Sequence, residues 1–177
     1  MESLGSSGGI SADVTVLGIL SDTHDRVAAA AAGIATLRAA GAQFLIHCGD
    51  VGGESILDLL AGIPSVCVWG NCDFDRAGLV QYAGELGIQC AGDFAELRCS
   101  GKQIAVTHGD NPRLLRQLIE RDPPYDYLFH GHTHVADDER LGRLRIVNPG
   151  ALHRAAQKTV ALVDLNTDTV RHLTVHA

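Results

Sequence analysis

Residues 14–24 read VTVLGILSDTH. The first seven form an unbroken apolar, β-branched run, the pattern of a strand buried on both faces. The run stops at Ser21-Asp22-Thr23-His24, which places a carboxylate and an imidazole two positions apart. Side chains two apart on an extended segment share a face, so Asp22 and His24 can reach one object. The stretch that follows, RVAAAAAGIATLRAAG (26–41), is alanine-rich and closes on Gly41, which predicts a helix with a C-terminal glycine.

The same sentence is repeated downstream. FLIHC (44–48) predicts a second strand, ESILDLLAG (54–62) a short helix, SVCVW (65–69) a third strand and AGLVQYAGELG (77–87) a third helix. This is a βαβαβ opening with a parallel sheet. The second half changes character. FAELRC and QIAVTH flank SGK, a hairpin signal. PRLLRQLIER (112–121) predicts a helix with proline at its favoured start. YDYLFH (125–130), RLRIVN (143–148), TVALVDL (159–165) and TVRHLTV (169–175) predict four more strands. The expectation is an α/β fold of two packed sheets with helices outside.

Six of these runs end in Asp, Asn or His with a glycine close by: Asp22/His24, Gly49-Asp50, Gly70-Asn71, His108-Gly109, Gly131-His132-Thr133-His134 and Asn148-Pro149-Gly150. Strand ends in α/β sheets converge on one crevice, where ligands bind. Each fragment alone has an ordinary structural explanation, but together they require six coincidences. The candidates Asp22, His24, Asp50, Asn71, His108, His132 and His134 form a mixed N/O donor set, suited to Mn, Fe, Zn, Co or Ni. Seven donors exceed one tetrahedral ion and fit two ions sharing a carboxylate. Cys72, inside GNCD (70–73), reads as filler beside Asn71 rather than as a ligand.

Composition narrows the field. The chain has 177 residues, 46% hydrophobic and 20% charged, which suits a single domain over 14–177. Residues 1–13 read as a disordered lead-in without the basic start and apolar core of a signal peptide. No apolar run is long enough to span a bilayer. The net charge of −7 disfavours a large nucleic-acid duplex as partner but not a small phosphorylated substrate. The five cysteines are odd in number and form no C-x-x-C pair, which predicts reduced thiols and a cytoplasmic protein.

The ordered series D-x-H, G-D, G-N-x-D, H-G and G-H-x-H, running from Asp22 to Asn148, resembles the calcineurin-like metallophosphoesterases. SDTH, GNCD and the NPG element are most similar to the small bacterial branch of the YfcE type. The resemblance implies a four-layer α/β/β/α sandwich of two packed mixed sheets with outer helices. It also implies that Asp22, His24, Asp50 and His134 hold one divalent ion, and that Asp50, Asn71, His108 and His132 hold a second, with manganese first among the metals named above. Asp50, Asn71 and His108 are thereby expected in catalysis as well. Two ions about 3.5–4 Å apart would supply hydroxide near neutral pH for in-line attack on a phosphoester. Asp73 and Asp110 are candidates to orient imidazoles from behind. The partner implied is a small phosphorylated substrate, with self-assembly into a homo-oligomer left open.

Two positions depart from that resemblance. Many larger relatives carry His where this chain has Cys72. A thiol of pKa about 8.5 is a poorer acid near neutral pH than an imidazolium of about 6.5, so esters with good leaving groups are expected to be preferred, phosphodiesters first. His153 is the substitute acid. Asp25 stands where small relatives have Gly and reads as the cap of the alanine-rich helix. Arg154 and Lys158 are set down as basic residues that a substrate anion can meet. Two other functions compete: a non-catalytic protein-binding scaffold, as in the retromer coat subunit this fold resembles, and a phosphomonoesterase or protein phosphatase. Scaffold relatives have altered ligands, whereas all seven are present here.

Overall fold

The computed structural model describes residues 10–177. The chain runs β1 (Ile10–Ala12), β2 (Val16–Leu20), α1 (Val27–Ala39), β3 (Phe44–His47), α2 (Glu54–Leu60), β4 (Ser65–Cys67), α3 (Arg76–Glu85), β5 (Gln89–Cys90), β6 (Phe94–Cys99), β7 (Lys102–Thr107), α4 (Pro112–Ile119), β8 (Tyr127–Phe129), β9 (Asp137–Leu141), β10 (Leu144–Asn148), β11 (Thr159–Asp164) and β12 (Thr169–Thr174). Two six-stranded mixed sheets result, in the orders β12-β11-β2-β3-β4-β5 and β1-β6-β7-β8-β10-β9. In the first, β2 through β5 are parallel, as the βαβαβ reading requires, and β11 and β12 add antiparallel.

Side-chain alternation builds the layers. Leu17 and Ile19 of β2, with Ile46 of β3, point into a seam shared with Ile104, Val106, Phe129 and Val147 of the other sheet. Leu20 and Leu45 point the opposite way, onto Ile34 and Leu37 of α1 and Leu57 of α2. On the far side, α4 sets Leu118 against Ala105, Leu128 and Leu144. The order of layers is helix, sheet, sheet, helix. A fully buried Leu or Ile adds roughly 1.5–3 kcal/mol by leaving water, and the three apolar clusters hold the strand ends in fixed register.

Local chemistry agrees with most boundaries. Gly41 (φ +98) follows α1 in the left-handed region. Asn111 caps α4 through its side-chain oxygen, which accepts from Arg113 N and Leu114 N. The β6–β7 turn is the two residues Ser100 and Gly101, both with positive φ, and Lys102 already pairs with Cys99.

Four expectations are corrected. Of the lead-in over 1–13, residues 1–9 lie outside the described residues, while Ile10–Ala12 pair in parallel with Leu97–Cys99, so the described fold starts before residue 14. Asp25 does not cap α1: the N-cap position is Arg26, no side chain bonds there, and Asp25 itself sits at φ +59. Strand β9, sequence DDERL, was not foreseen. It is exposed throughout and lies at a sheet edge, so it shows no apolar alternation; its Asp138 pairs with Arg145 of β10. The two-residue strand β5 is likewise too short to show a pattern.

Candidate metal centre

All six polar strand ends emerge on the same side of the two sheets. Asp22 follows β2, Asp50 follows β3, Asn71 follows β4, His108 follows β7, His132 and His134 follow β8, and Asn148 ends β10. Asp22, Asp50 and His108 form a buried floor, His24 and His134 are half-buried, and Asn71 and His132 are exposed at the rim. Three groups of donor atoms each fall within 4.8 Å: Asp22, His24 and His134; Asp22, Asp50 and His108; and His24, Asp50 and Cys72.

The most telling atom is Asp50 Oδ2. It lies 3.3 Å from His24 Nε2 and 3.4 Å from His108 Nε2, between two imidazoles that come from different sheets. His134 Nε2 lies 3.1 Å from Asp22 Oδ1. The four rings fall into two pairs, His24 with His134 (centroids 5.8 Å apart) and His108 with His132 (5.2 Å). Asp22 Oδ1, His24 Nε2 and His108 Nε2 are all buried and none has a hydrogen-bond partner. Buried polar atoms without partners are costly. Three of them facing one spot, in an N/O donor set, fit one or more divalent cations.

The backbone is bent to bring these atoms together. Asp22, His24, Asp50, His132 and His134 all have positive φ, between 43 and 68°. Each such non-glycine residue costs on the order of 1–3 kcal/mol, and such strain gathers at functional sites. Two glycines allow the close approach. A Cβ on Gly70 would lie 2.1 Å from Asp50 Oδ1, and one on Gly131 would lie 1.9 Å from Ser21 Oγ and 2.7 Å from Asp22 Oδ2.

A surrounding shell of bonds holds the donors in place. His108 Nδ1 lies 2.8 Å from the Cys48 carbonyl oxygen, so Nδ1–H donates and Nε2 keeps its lone pair for the centre. Asp22 Oδ2 accepts from His132 N (3.2 Å), and Asp50 Oδ1 accepts from Cys72 N (2.8 Å). Asn148, from the NPG element, donates its amide to Gly131 O and Thr133 Oγ1, which braces the His132–His134 loop. Beneath the floor, Gly49 N–H donates to His47 Nδ1. His47 Nε2–H then donates to Thr23 Oγ1, whose hydroxyl donates to Val51 O. Burial and the neighbouring His108 lower the His47 pKa to about 3, so this ring stays neutral.

Charge within the site is balanced by proximity. Burial works against the Asp50 carboxylate, but the His108 imidazole beside it and the hydrogen bond from the Cys72 amide outweigh it and hold its pKa well below the usual range. His108 shows the converse. Burial opposes its cation, yet Asp50 and Asp22 raise its pKa above that of free imidazole.

The remaining expected residues occupy other places. Asp73 is buried and accepts from Gly70 N (2.8 Å) and Gly52 N (3.0 Å), so it clamps two strand-end loops together rather than an imidazole. Burial raises its pKa. Asp110 is exposed. His153 lies tilted against His24 (ring centroids 4.9 Å apart), and its Nδ1 accepts from Arg26 Nε at 3.2 Å, which holds the ring as a neutral acceptor. Burial, with His24 and Arg26 alongside, lowers its pKa. Cys72, set aside in the sequence, stands with its Sγ beside His24 and Asp50. Burial and Asp50 raise its pKa, so the thiol keeps its proton. The bracing roles of Asn148, Thr23 and His47 were not foreseen. SDTH and NPG offered the signal, but the pairings cross the sheets.

Known proteins supply a context. The calcineurin-like phosphoesterase superfamily domain matches residues 16–168. A phosphodiesterase of Methanocaldococcus jannaschii is 26% identical over 137 residues, covering 76% of this chain and 82% of the relative. The structure of an archaeal phosphodiesterase superposes with a TM-score of 0.83 at 23% identity, over 90% of this chain and 99% of that one. The YfcE phosphoesterase from E. coli superposes with a TM-score of 0.63 at 19% identity, over 91% of this chain and 100% of that one.

Proposed function

The chain belongs to the calcineurin-like phosphoesterase superfamily and is a hydrolase of ester bonds; from that premise we propose that it hydrolyses small phosphodiesters with good leaving groups, with two divalent metal ions as cofactors. Asp22, His24, Asp50 and His134 would hold one ion, and Asp50, Asn71, His108 and His132 the other, manganese first. The observation that carries this reading is Asp50 Oδ2, set almost equally between His24 Nε2 and His108 Nε2 at 3.3 and 3.4 Å, where a shared carboxylate belongs. Bound divalent ions lower the pKa of water and offset charge on the phosphoryl oxygens.

The chain's own residues do the rest. The Cys48 carbonyl fixes the His108 ring, and the Cys72 amide fixes one oxygen of Asp50, leaving the other free. Asn71, exposed at the rim, rests its amide Nδ2 3.4 Å from Cys72 Sγ, a weak contact that a phosphoryl oxygen can replace as charge builds there. Asp73 keeps Gly70 and Gly52 in register, and so keeps Asn71 beside Asp50. Cys72, a protonated thiol of raised pKa, is a weak proton donor. With His153 held as an acceptor by Arg26, nothing close by readily protonates a poor leaving group. We place the enzyme in the cytoplasm; among the described residues no helix is long and apolar enough to cross a membrane.

The test is a panel of aryl and alkyl phosphodiesters and monoesters after reconstitution with Mn, Ni, Co, Fe or Zn. Aryl diesters are expected to be cleaved fastest. Cys72→His is expected to speed alkyl diesters by about tenfold or more. Faster monoester cleavage would favour the phosphomonoesterase alternative. No cleavage with any metal would favour the scaffold alternative.

A further inference from the structure

A groove of about 500 Å³ opens beside the centre, with three basic side chains on it that make no ion pair among the described residues. Arg26, Arg154 and Lys158 border it, and its floor is apolar: Val27, Ala29 and Leu152. The protein as a whole carries a net charge of −7. Among the described residues, the ion pairs of arginine and lysine are made by Arg76, Arg140, Arg143 and Arg145, and none by these three. Arg26 uses only its Nε, on His153. Lys158 Nζ reaches a main-chain oxygen of Ala177, the last residue of the sequence and also on the groove, at a long 3.4 Å. Asp25 also lines the groove, with its carboxylate turned towards Gly53. Positive charge therefore gathers here in an otherwise acidic molecule, and a cleft of one sign concentrates ions of the other.

The groove connects directly to the reacting end. His153, on its wall, has its ring centroid 4.9 Å from that of His24, the two planes tilted by 54°. Arg154 stands on a ridge, at φ +51, and also borders a second groove that His134 lines. A molecule with its scissile phosphoester over Asp50 can extend past His24 or His134 and reach the Arg154 guanidinium either way. The apolar floor suits a short carbon linker, and the volume lies in the range of small-ligand sites. Guanidinium forks match phosphate oxygens in pairs, which a solvated lysine alone does not.

We propose that this groove binds a second phosphate on the part of the substrate that is not the leaving group, so that the preferred substrates are phosphodiesters carrying a further phosphomonoester. Arg154 and Lys158 are specificity residues, and Arg26 assists while bonded to His153. The proposal rests on the hydrolase reading above for its substrate, yet the groove can be tested apart from it.

Two esters differ only in the group concerned: the 4-nitrophenyl phosphodiesters of glycerol and of glycerol 3-phosphate. In both, water adds to phosphorus and 4-nitrophenolate departs. The phosphorylated ester is expected to show kcat/KM about tenfold higher or more, mainly through KM, at low salt. The ratio is expected to fall towards one in Arg154→Ala/Lys158→Ala and to recover in part with Arg154→Lys. Arg113→Ala, on α4 and not among the groove's lining residues, should leave it unchanged. A second arm uses metal-free protein and glycerol 3-phosphate in calorimetry, where the double variant should weaken binding about tenfold. Equal kcat/KM for the two esters, a ratio that survives the double variant, or unchanged calorimetric affinity would each overturn the groove assignment. If neither ester is cleaved but glycerol 3-phosphate still binds through Arg154 and Lys158, the hydrolase reading fails and the groove stands.

Discussion

The strands of this protein lead two lives within a few residues. Between the sheets, Leu17, Ile19, Ile46, Val106 and Val147 are fully buried, apolar and unremarkable in backbone. Just beyond the same strands, Asp22, His24, Asp50, His132 and His134 bend through positive φ, and three buried polar atoms face one another unpartnered. The seam stabilises the fold and the rim spends part of that stability on a fixed array of donors. The difference teaches where to expect each kind of mutational effect.

The contrast is broken most directly by a pair of substitutions. Leu17→Ala, at the end of β2 away from the site, should cost about 2–5 kcal/mol in denaturant unfolding while kcat of the folded protein holds. Asn71→Ala should do the reverse: kcat on an aryl diester falls about 10²–10³-fold, and stability shifts by no more than roughly 0.5 kcal/mol, as for an exposed residue. If Asn71→Ala keeps full activity, the ligand assignment of Asn71 is wrong.

Protons sharpen the comparison next. The carboxylates around His108 raise its pKa, so as pH falls the metal-free protein takes up a proton at Nε2, where a metal would bind. That proton adds stability below the unfolded imidazole pKa, and the gain is lost as pH rises through the higher folded value. Metal must displace it. Manganese affinity measured by calorimetry should therefore weaken on acidification, by up to about tenfold per pH unit for one displaced proton. A flat profile from pH 8 to 6 would remove His108 from the ligand set. Asp50 has the opposite sign: its pKa is depressed, so its contribution to stability is present above the unfolded carboxylate range and lost as pH falls.

The smallest effect tests the strain itself. His132 is exposed at φ +68. His132→Gly should stabilise the metal-free protein by about 1 kcal/mol while weakening metal binding. A thermal melt without metal that shows destabilisation would mean the bend at His132 costs nothing.

Much of this was legible in sequence, and the reasons are physical. A fully buried parallel strand must be continuously apolar, so its end is visible wherever Asp, Asn or His interrupts the run. Asp22, Asp50 and His108 announce themselves in that way. What sequence hides is distance across the sheets. Nothing in GNCD shows that Cys72 stands beside His24, or that Asp73 bonds Gly52 rather than an imidazole. Strand β9 hides for another reason: DDERL is exposed on both faces, and only its pairing with β10 makes it a strand. Likewise Asp25 precedes a helix as a cap would, but its left-handed backbone turns it away from that role.

The bond from His132 N to Asp22 Oδ2 joins residues 110 positions apart, and the contact of Arg26 with His153 spans 127. Such contacts close late, because long loops must be brought together before they are rewarded. A chain emerging from the ribosome displays Asp22, His24 and Asp50 long before their imidazole partners exist. Before β7 and β8 are in place, Asp22, His24 and Asp50 lack the imidazoles of His108, His132 and His134 that the proposed centre would use. On the proposed reading, loading with metal would be tied to the completion of folding, because the donor set is assembled from both halves of the chain.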